Sequence, residues 1–156
     1  QLMSKPNEAI KICESLAKKI NKEFNDFNLI LSPAMGGIIV GYEVGRILNK
    51  QTIFSERVGG EFKLRRDFKI KKGDKVLIVE DVITTGKSSL ECSKLVTANK
   101  GLVVGFACII DRSSDKSKIE NRIISQVKLE IPTFTKDNLP KDLSLIKPVK
   151  PGSRNL

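Results

Sequence analysis

The chain has no histidine, no tryptophan, a single tyrosine and only three cysteines. Without histidine there is no Ser-His or Cys-His nucleophilic centre. Cys13, Cys92 and Cys108 are scattered, odd in number and outside any metal-ligand spacing. Each is expected to pack as a small apolar residue in a reducing cytosol. No apolar run approaches the length of a membrane span, and the first residues lack the apolar stretch of a signal peptide. The expectation is a cytoplasmic protein without a membrane partner. The scarcity of aromatics also bears on the net charge of +10. A basic surface attracts nucleic-acid backbones. Here, however, the positive charges are mostly lysines spread along the whole chain, with no basic-aromatic cluster on which bases could stack. We expect no nucleic-acid partner, and read the charge as a solvated lysine-rich surface with local provision for an anionic substrate.

The chain has 156 residues and a mass of 17.3 kDa, which is enough for one domain with a real core, spanning 1–156. Strand and helix patterns alternate. Ala9, Ile10, Cys13, Leu16, Ala17, Ile20 and Phe24 form a helical stripe over 6–24. A strand over 29–32 is stopped by Pro33. A helix follows over 37–49, in which Gly41 and Gly45, four apart, suggest a smooth face packed close to a sheet. Next come a strand over 52–57, a basic hairpin-like stretch, a strand built on the apolar run 76–79 with carboxylates at its end, and a helix from about 86 to 100. Strands over 102–111 and 126–130 complete the pattern. The stretch 147–154, punctuated by prolines, reads as extended chain. Such alternation predicts an α/β fold, a mainly parallel sheet with right-handed crossovers flanked by helices.

The segment richest in chemistry runs from Val76 to Ser88. Val76, Leu77, Ile78 and Val79 suit a strand buried in a parallel sheet, preceded by the turn residues Lys72, Gly73 and Asp74. They lead into two adjacent carboxylates, Glu80 and Asp81, then Val82, Ile83, Thr84, Thr85, Gly86, Lys87 and Ser88. The loop places backbone N–H groups and hydroxyls where a helix begins, a ready phosphate site. Carboxylates at a strand end accept hydrogen bonds from sugar hydroxyls or bind a divalent metal through oxygen. A strand, turn and capped helix need no ligand, but bare connections of this kind rarely put two carboxylates beside such a loop. Gly86, Lys87 and Ser88 spell the end of a nucleotide-binding P-loop. That motif requires a glycine five residues before its second glycine, where this chain has Asp81. The P-loop reading fails.

This run resembles the phosphoribosyl-diphosphate (PRPP) motif of the type I phosphoribosyltransferases, and its E-D-V-I-T-T-G-K-S form most resembles the orotate phosphoribosyltransferase branch. The resemblance implies that Glu80 and Asp81 hold the ribose hydroxyls, directly or through magnesium. It implies that Thr84, Thr85, Gly86, Lys87 and Ser88, with Val82 and Ile83, cradle the 5-phosphate, and that Thr84 also faces orotate. Mg2+ is expected to arrive with PRPP, with no resident metal ligand set beyond Glu80 and Asp81.

In such a sheet ligands gather at the carboxyl ends of the strands. The end Ser32, Pro33, Ala34, Met35, Gly36, Gly37 has small residues that let a diphosphate approach the backbone. By resemblance Ala34, Met35, Gly36 and Gly37 form the pyrophosphate loop, which in the family can contain a strained or cis peptide. Some orotate enzymes carry a lysine where Gly36 stands. The stretch 56–66 resembles the family's mobile loop. It holds Arg57, Lys63, Arg65 and Arg66, four cations within ten residues, around a Gly59-Gly60 turn. Donors of this kind suit the charge developing on a departing pyrophosphate. All four are candidate catalytic residues; taken alone, the stretch also reads as a solvated hairpin. At the next strand end Arg112 follows Asp111 and could pair bidentately with a carboxylate, which orotate carries.

The implied activity is transfer of the phosphoribosyl group of PRPP to orotate in pyrimidine synthesis, by a homodimer. Family members also carry an N-terminal segment that forms a hood over the base. The given sequence has none, so it is expected to be a trimmed fragment or to make incomplete base contacts. Two alternatives stay open: a phosphoribosyltransferase for another base such as a purine, and a non-catalytic PRPP-sensing regulatory domain.

Overall fold

The structure is a computed structural model and describes residues 2–113, 117–132, 134–147 and 149. Most of the expected extended tail over 147–154 lies outside them. Helix α1 (Pro6–Glu23) starts with proline in its first turn and buries Ala9, Cys13, Leu16, Ala17 and Ile20, the stripe read from the sequence. Strand β1 (Leu29–Pro33) is buried throughout and leads into α2 (Gly36–Leu48), which ends at Asn49 in the left-handed conformation. Strands β2 (Gln51–Val58) and β3 (Glu61–Leu64) form an antiparallel hairpin. Both residues of its Gly59-Gly60 turn have positive φ, the geometry of a type I′ connection. Strand β4 (Lys75–Ile83) and helix α3 (Lys87–Ala98) carry the motif segment. Strands β5 (Leu102–Asp111) and β6 (Ile123–Lys128) and the short α4 (Lys141–Ser144) complete the chain. No helix among the described residues is long and apolar enough to cross a membrane.

The six strands form one sheet in the order β3-β2-β1-β4-β5-β6, parallel except for β3. Successive side chains of a strand point to opposite faces, and the two core clusters show that period directly. Ile30, Leu77, Val79, Ala107 and Ile109 pack on one face with Cys13, Leu16 and Ile20 of α1 and Val40 and Val44 of α2. Leu29, Leu31, Val76, Ile78, Phe106 and Cys108 pack on the other with Cys92 and Val96 of α3. Both faces of the central strands are therefore covered, which explains why β4 reads as a continuous apolar run rather than an alternating one.

Several element bounds shift by a residue or two, β4 continues through Glu80 and Asp81 to Ile83, and two differences have an instructive cause. Pro33 ends β1 rather than stopping it: the residue pairs in register with Ser55, and the next amide, Ala34 N–H, donates to the Ser55 carbonyl at 2.8 Å. At a strand's last position the missing proline N–H costs no ladder bond. The last strand lies at Ile123–Lys128, not 126–130. Its partner β5 decides this, because Phe106 pairs with Ile123 and the terminal Asp111 with Lys128.

The glycine face of α2 is present as expected. A β-carbon on Gly41 would lie 1.9 Å from Ser32 Oγ and 3.0 Å from Ser32 Cβ, and one on Gly45 would crowd Thr52. Gly41→Ala is expected to destabilise the protein by about 1–3 kcal/mol through overpacking of the helix against β1. A thermal melt should show a midpoint lower by roughly 3–10 °C; an unchanged midpoint would mean that Ser32 simply swings aside.

Candidate active site

Strand order reverses between β1 and β4: β1 runs on to β2 on one side, while β4 runs on to β5 on the other. The loops leaving the two strands diverge there and leave a crevice at their carboxyl ends. After β4, Gly86 adopts the left-handed conformation (φ +73°) at the start of α3, and no side chain caps that helix. A β-carbon at Gly86 would also come within 2.7 Å of Ile119. The Lys87 N–H donates to Thr85 Oγ1 at 3.4 Å, and the other N–H groups of the first turn and the helix dipole face the loop, open to an anion. Arg57, Glu80, Asp81, Val82, Ile83, Thr84, Thr85, Gly86, Lys87 and Ser88 line a cleft of about 560 Å³. All nine residues expected to bind PRPP stand in it together with Arg57.

A second cleft of about 600 Å³ adjoins the first, lined by Pro33, Ala34, Met35, Gly36 and Gly37 after β1. It shares Arg57, Glu80, Asp81 and Ser88 with the first cleft. The Ala34-Met35 peptide bond is cis. Gly36 lies hard against the acidic pair: a β-carbon there would be 2.3 Å from Asp81 Oδ2. With Asp81 in this rotamer no side chain fits at that position.

The two carboxylates differ in environment. Glu80 is buried at 7% exposure and accepts a hydrogen bond from the buried hydroxyl of Ser89. Burial pushes the Glu80 carboxyl up to about 7; the Ser89 hydroxyl opposes the shift and the neighbouring Asp81 charge adds to it. Asp81 is half-buried and accepts the Val82 N–H at 2.8 Å through Oδ1. Cys92 and Cys108 sit beneath this region and Cys13 is on the buried face of α1; all three are free and buried. Burial pushes Cys13 up to about 11 and each of the other two to about 12, so none offers a thiolate near neutral pH.

Of the four hairpin cations, only Arg57 reaches the two clefts. Lys63 is exposed on β3. Arg66 donates to Glu56 at 2.9 Å and stands 5.8 Å from the Phe54 ring centroid, and Arg65 lies 3.8 Å from the same carboxylate. Arg112 is exposed just after β5, and its own N–H donates to the Ile83 carbonyl at 2.8 Å, so backbone ties it to the motif strand. With Ser113, Lys128, Leu129, Glu130, Ile131 and Pro132 it lines a separate cavity of about 550 Å³. Thr84 lies in the motif cleft and not in this cavity.

Three residues beside these sites were not singled out from the sequence. Lys128 ends β6 next to Arg112, but the expected strand 126–130 placed it in mid-strand. Ser89 and Glu91 extend the motif's contacts from inside α3. A helical reading of 86–100 puts Glu91 one turn beyond Lys87, a signal too generic to act on alone.

A model of the phosphoribosyl transferase domain matches residues 3–138. Among curated proteins, the chain is 46% identical to the orotate phosphoribosyltransferase of Methylorubrum extorquens (strain PA1), over 99% of this chain and 80% of that protein. It is 39% identical to the orotate phosphoribosyltransferase of Maricaulis maris (strain MCS10), over 100% of this chain and 81% of that protein. Among solved structures, it superposes on an adenine phosphoribosyltransferase from Thermoanaerobacter pseudethanolicus with a TM-score of 0.71 at 21% identity, covering 82% of this chain and 84% of that one. It superposes on an orotate phosphoribosyltransferase from Aeropyrum pernix with a TM-score of 0.69 at 19% identity, covering 83% and 76%. At these identities the structural likenesses concern the fold.

Proposed function

The chain belongs to the orotate phosphoribosyltransferase family, and from that membership we propose that it transfers the phosphoribosyl group of PRPP to orotate. The products are orotidine 5-phosphate and pyrophosphate, a step of pyrimidine synthesis. The observation that supports this reading best is the pair of adjoining clefts that share Arg57, Glu80, Asp81 and Ser88. PRPP carries a phosphate at one end and a diphosphate at the other, with two hydroxyls between. It needs two anion sites flanking a set of hydrogen-bond acceptors.

In this reading Thr84, Thr85, Gly86, Lys87 and Ser88 take the 5-phosphate, mainly through backbone N–H groups. Ionised Glu80 and Asp81 accept hydrogen bonds from the ribose hydroxyls. Ala34, Met35, Gly36 and Gly37 receive the diphosphate, with Arg57 beside it. A ring nitrogen of orotate attacks the anomeric carbon, a C–N bond forms, and the C–O bond to diphosphate breaks. The electron pair of that bond leaves with pyrophosphate. Positive charge grows on the ribose and negative charge on the leaving group, so catalysis comes from positioning and electrostatics without a covalent nucleophile. Lys63, Arg65 and Arg66 join Arg57 at the leaving group when the hairpin moves over the site, Arg65 and Arg66 leaving Glu56 to do so. Arg112 pairs with the orotate carboxylate, and Thr84 faces the ring.

Among the described residues no three or more acidic or cysteine side chains cluster as a metal site. We assign magnesium, held mostly by substrate oxygens, to one or both of the carboxylates Glu80 and Asp81. Bound there, it would offset charge on the departing diphosphate. Met35, Ile39 and Tyr42, exposed at 80%, 53% and 64%, follow one another along the first turns of α2, starting from the diphosphate loop. We assign a second copy of the chain to that row, making a homodimer, and place the enzyme in the cytoplasm, where its three free thiols stay reduced.

Product formation from PRPP and Mg2+ with orotate, adenine, guanine and uracil in parallel tests the reading. Turnover is expected with orotate alone. Preferential turnover of a purine would reassign the base. PRPP binding with no turnover of any base would favour a regulatory domain.

A further inference from the structure

Arg57 stands at the junction of the two clefts, and its guanidinium is held from three sides. One terminal nitrogen donates to the Gly60 carbonyl, and the Phe62 ring centroid lies 4.2 Å from the guanidinium carbon. Both partners belong to the β2–β3 hairpin. The third partner comes from a different element: the other terminal nitrogen donates to the Glu91 carboxylate on α3. Glu91 lines neither cleft, so whatever it does there it does through Arg57. These two bonds engage the terminal nitrogens and leave Nε of Arg57 out.

An arginine side chain has a large rotamer entropy to lose when it grips an anion. Fixing it before the ligand arrives lowers that cost and sets the direction of its donors. The hairpin alone could carry the guanidinium with it as it moves. A contact from α3, the helix whose N-terminus forms the 5-phosphate loop, instead ties Arg57 to the frame that holds the other end of the substrate. We propose that Glu91 is a positioning residue, holding the Arg57 guanidinium at the junction of the 5-phosphate and diphosphate clefts so that its free donors meet the diphosphate of PRPP. This rests on the PRPP-binding reading of the two clefts.

The test is calorimetric titration of PRPP with Mg2+ into the wild-type chain, Glu91→Ala, Glu91→Gln, Arg57→Ala and the Arg57→Ala/Glu91→Ala double variant. Glu91→Ala is expected to weaken PRPP binding about tenfold, the scale of one charge-assisted hydrogen bond. Glu91→Gln keeps an acceptor without the charge and should fall between. In the Arg57→Ala background the effect of Glu91→Ala should vanish, since a positioning residue has nothing left to position. The KM for orotate should not move. Equal or tighter PRPP binding by Glu91→Ala would overturn the inference, the latter by making Glu91 a competitor for Arg57. A loss that persists undiminished without Arg57 would overturn it too, by giving Glu91 a purely structural role. Should Glu91→Ala unfold, Glu91→Gln carries the same comparison. A wild-type chain that binds no PRPP overturns both the site reading and the inference, whereas normal wild-type binding matched by Glu91→Ala overturns the inference alone.

Discussion

Arg112→Ala is expected to raise the KM for orotate about a hundredfold while leaving the KM for PRPP nearly unchanged. The magnitude follows from losing a charged, hydrogen-bonded pair worth about 2–3 kcal/mol. The selectivity follows from geometry. Arg112 lines a cavity with Lys128, and neither cleft assigned to the sugar phosphate includes it. Its backbone is nonetheless bonded to Ile83 at the end of β4, so a base held by Arg112 is registered against the motif loop. Truncating the exposed side chain beyond Cβ leaves that backbone bond intact, and folding should not suffer. Steady-state kinetics with each substrate varied in turn decide the matter. A loss confined to PRPP would assign Arg112 to phosphate, and a loss in neither would remove it from the site.

Glu80→Gln is expected to weaken PRPP binding while stabilising the free protein above neutral pH. Burial holds the Glu80 carboxyl at about 7 against an ordinary value of 4.5. Between those values the folded state keeps a proton that the unfolded chain has released. The contribution of this group to stability is therefore fully present below pH 4.5, declines as pH rises towards 7, and stays lost above it. The difference is on the order of 3 kcal/mol. Glutamine does not ionise, and its amide oxygen can still accept from Ser89. Melts at pH 5 and pH 8 without PRPP or Mg2+ should show the variant pulling ahead of wild type at the higher pH. A gap that does not change with pH would mean that Glu80 does not titrate in this range. Binding should move the other way: a neutral acceptor replaces a carboxylate that lines both clefts, and PRPP affinity should fall by roughly tenfold or more. A buried carboxylate that costs stability and serves binding is the trade expected at a functional site.

The motif segment was legible because its chemistry is local. Apolar run, carboxylate pair, hydroxyl-rich loop and helix start follow one another between Val76 and Ser88, and β4, its loop and α3 fold in that order. The helical stripe of α1 and the paired glycines of α2 were legible for the same reason, since each is a period read along a few turns. Other features have no local signature. Pro33 looks like a terminator until Ser55 is placed beside it, and β6 takes its bounds from β5 rather than from its own residues. That shift by a few positions is what hid Lys128 at a strand end.

The sequence by itself determined the family, the α/β architecture and the segment that lines the motif cleft, because backbone periodicity and a contiguous motif are written in neighbouring positions. Only the tertiary structure decided how the remaining candidates divide. Arg57, Lys63, Arg65 and Arg66 are alike in sequence. In the fold, Arg57 is drawn to the cleft by Glu91, 34 residues on, while Arg65 and Arg66 are drawn to Glu56. Likewise Glu80 and Asp81 are adjacent carboxylates, yet the strand turns Glu80 inward beside Ser89, where burial raises its pKa, and leaves Asp81 half-buried against Gly36. Charge and burial at a side chain depend on which elements the chain later packs around it, and that is settled by long-range contacts that no local pattern records.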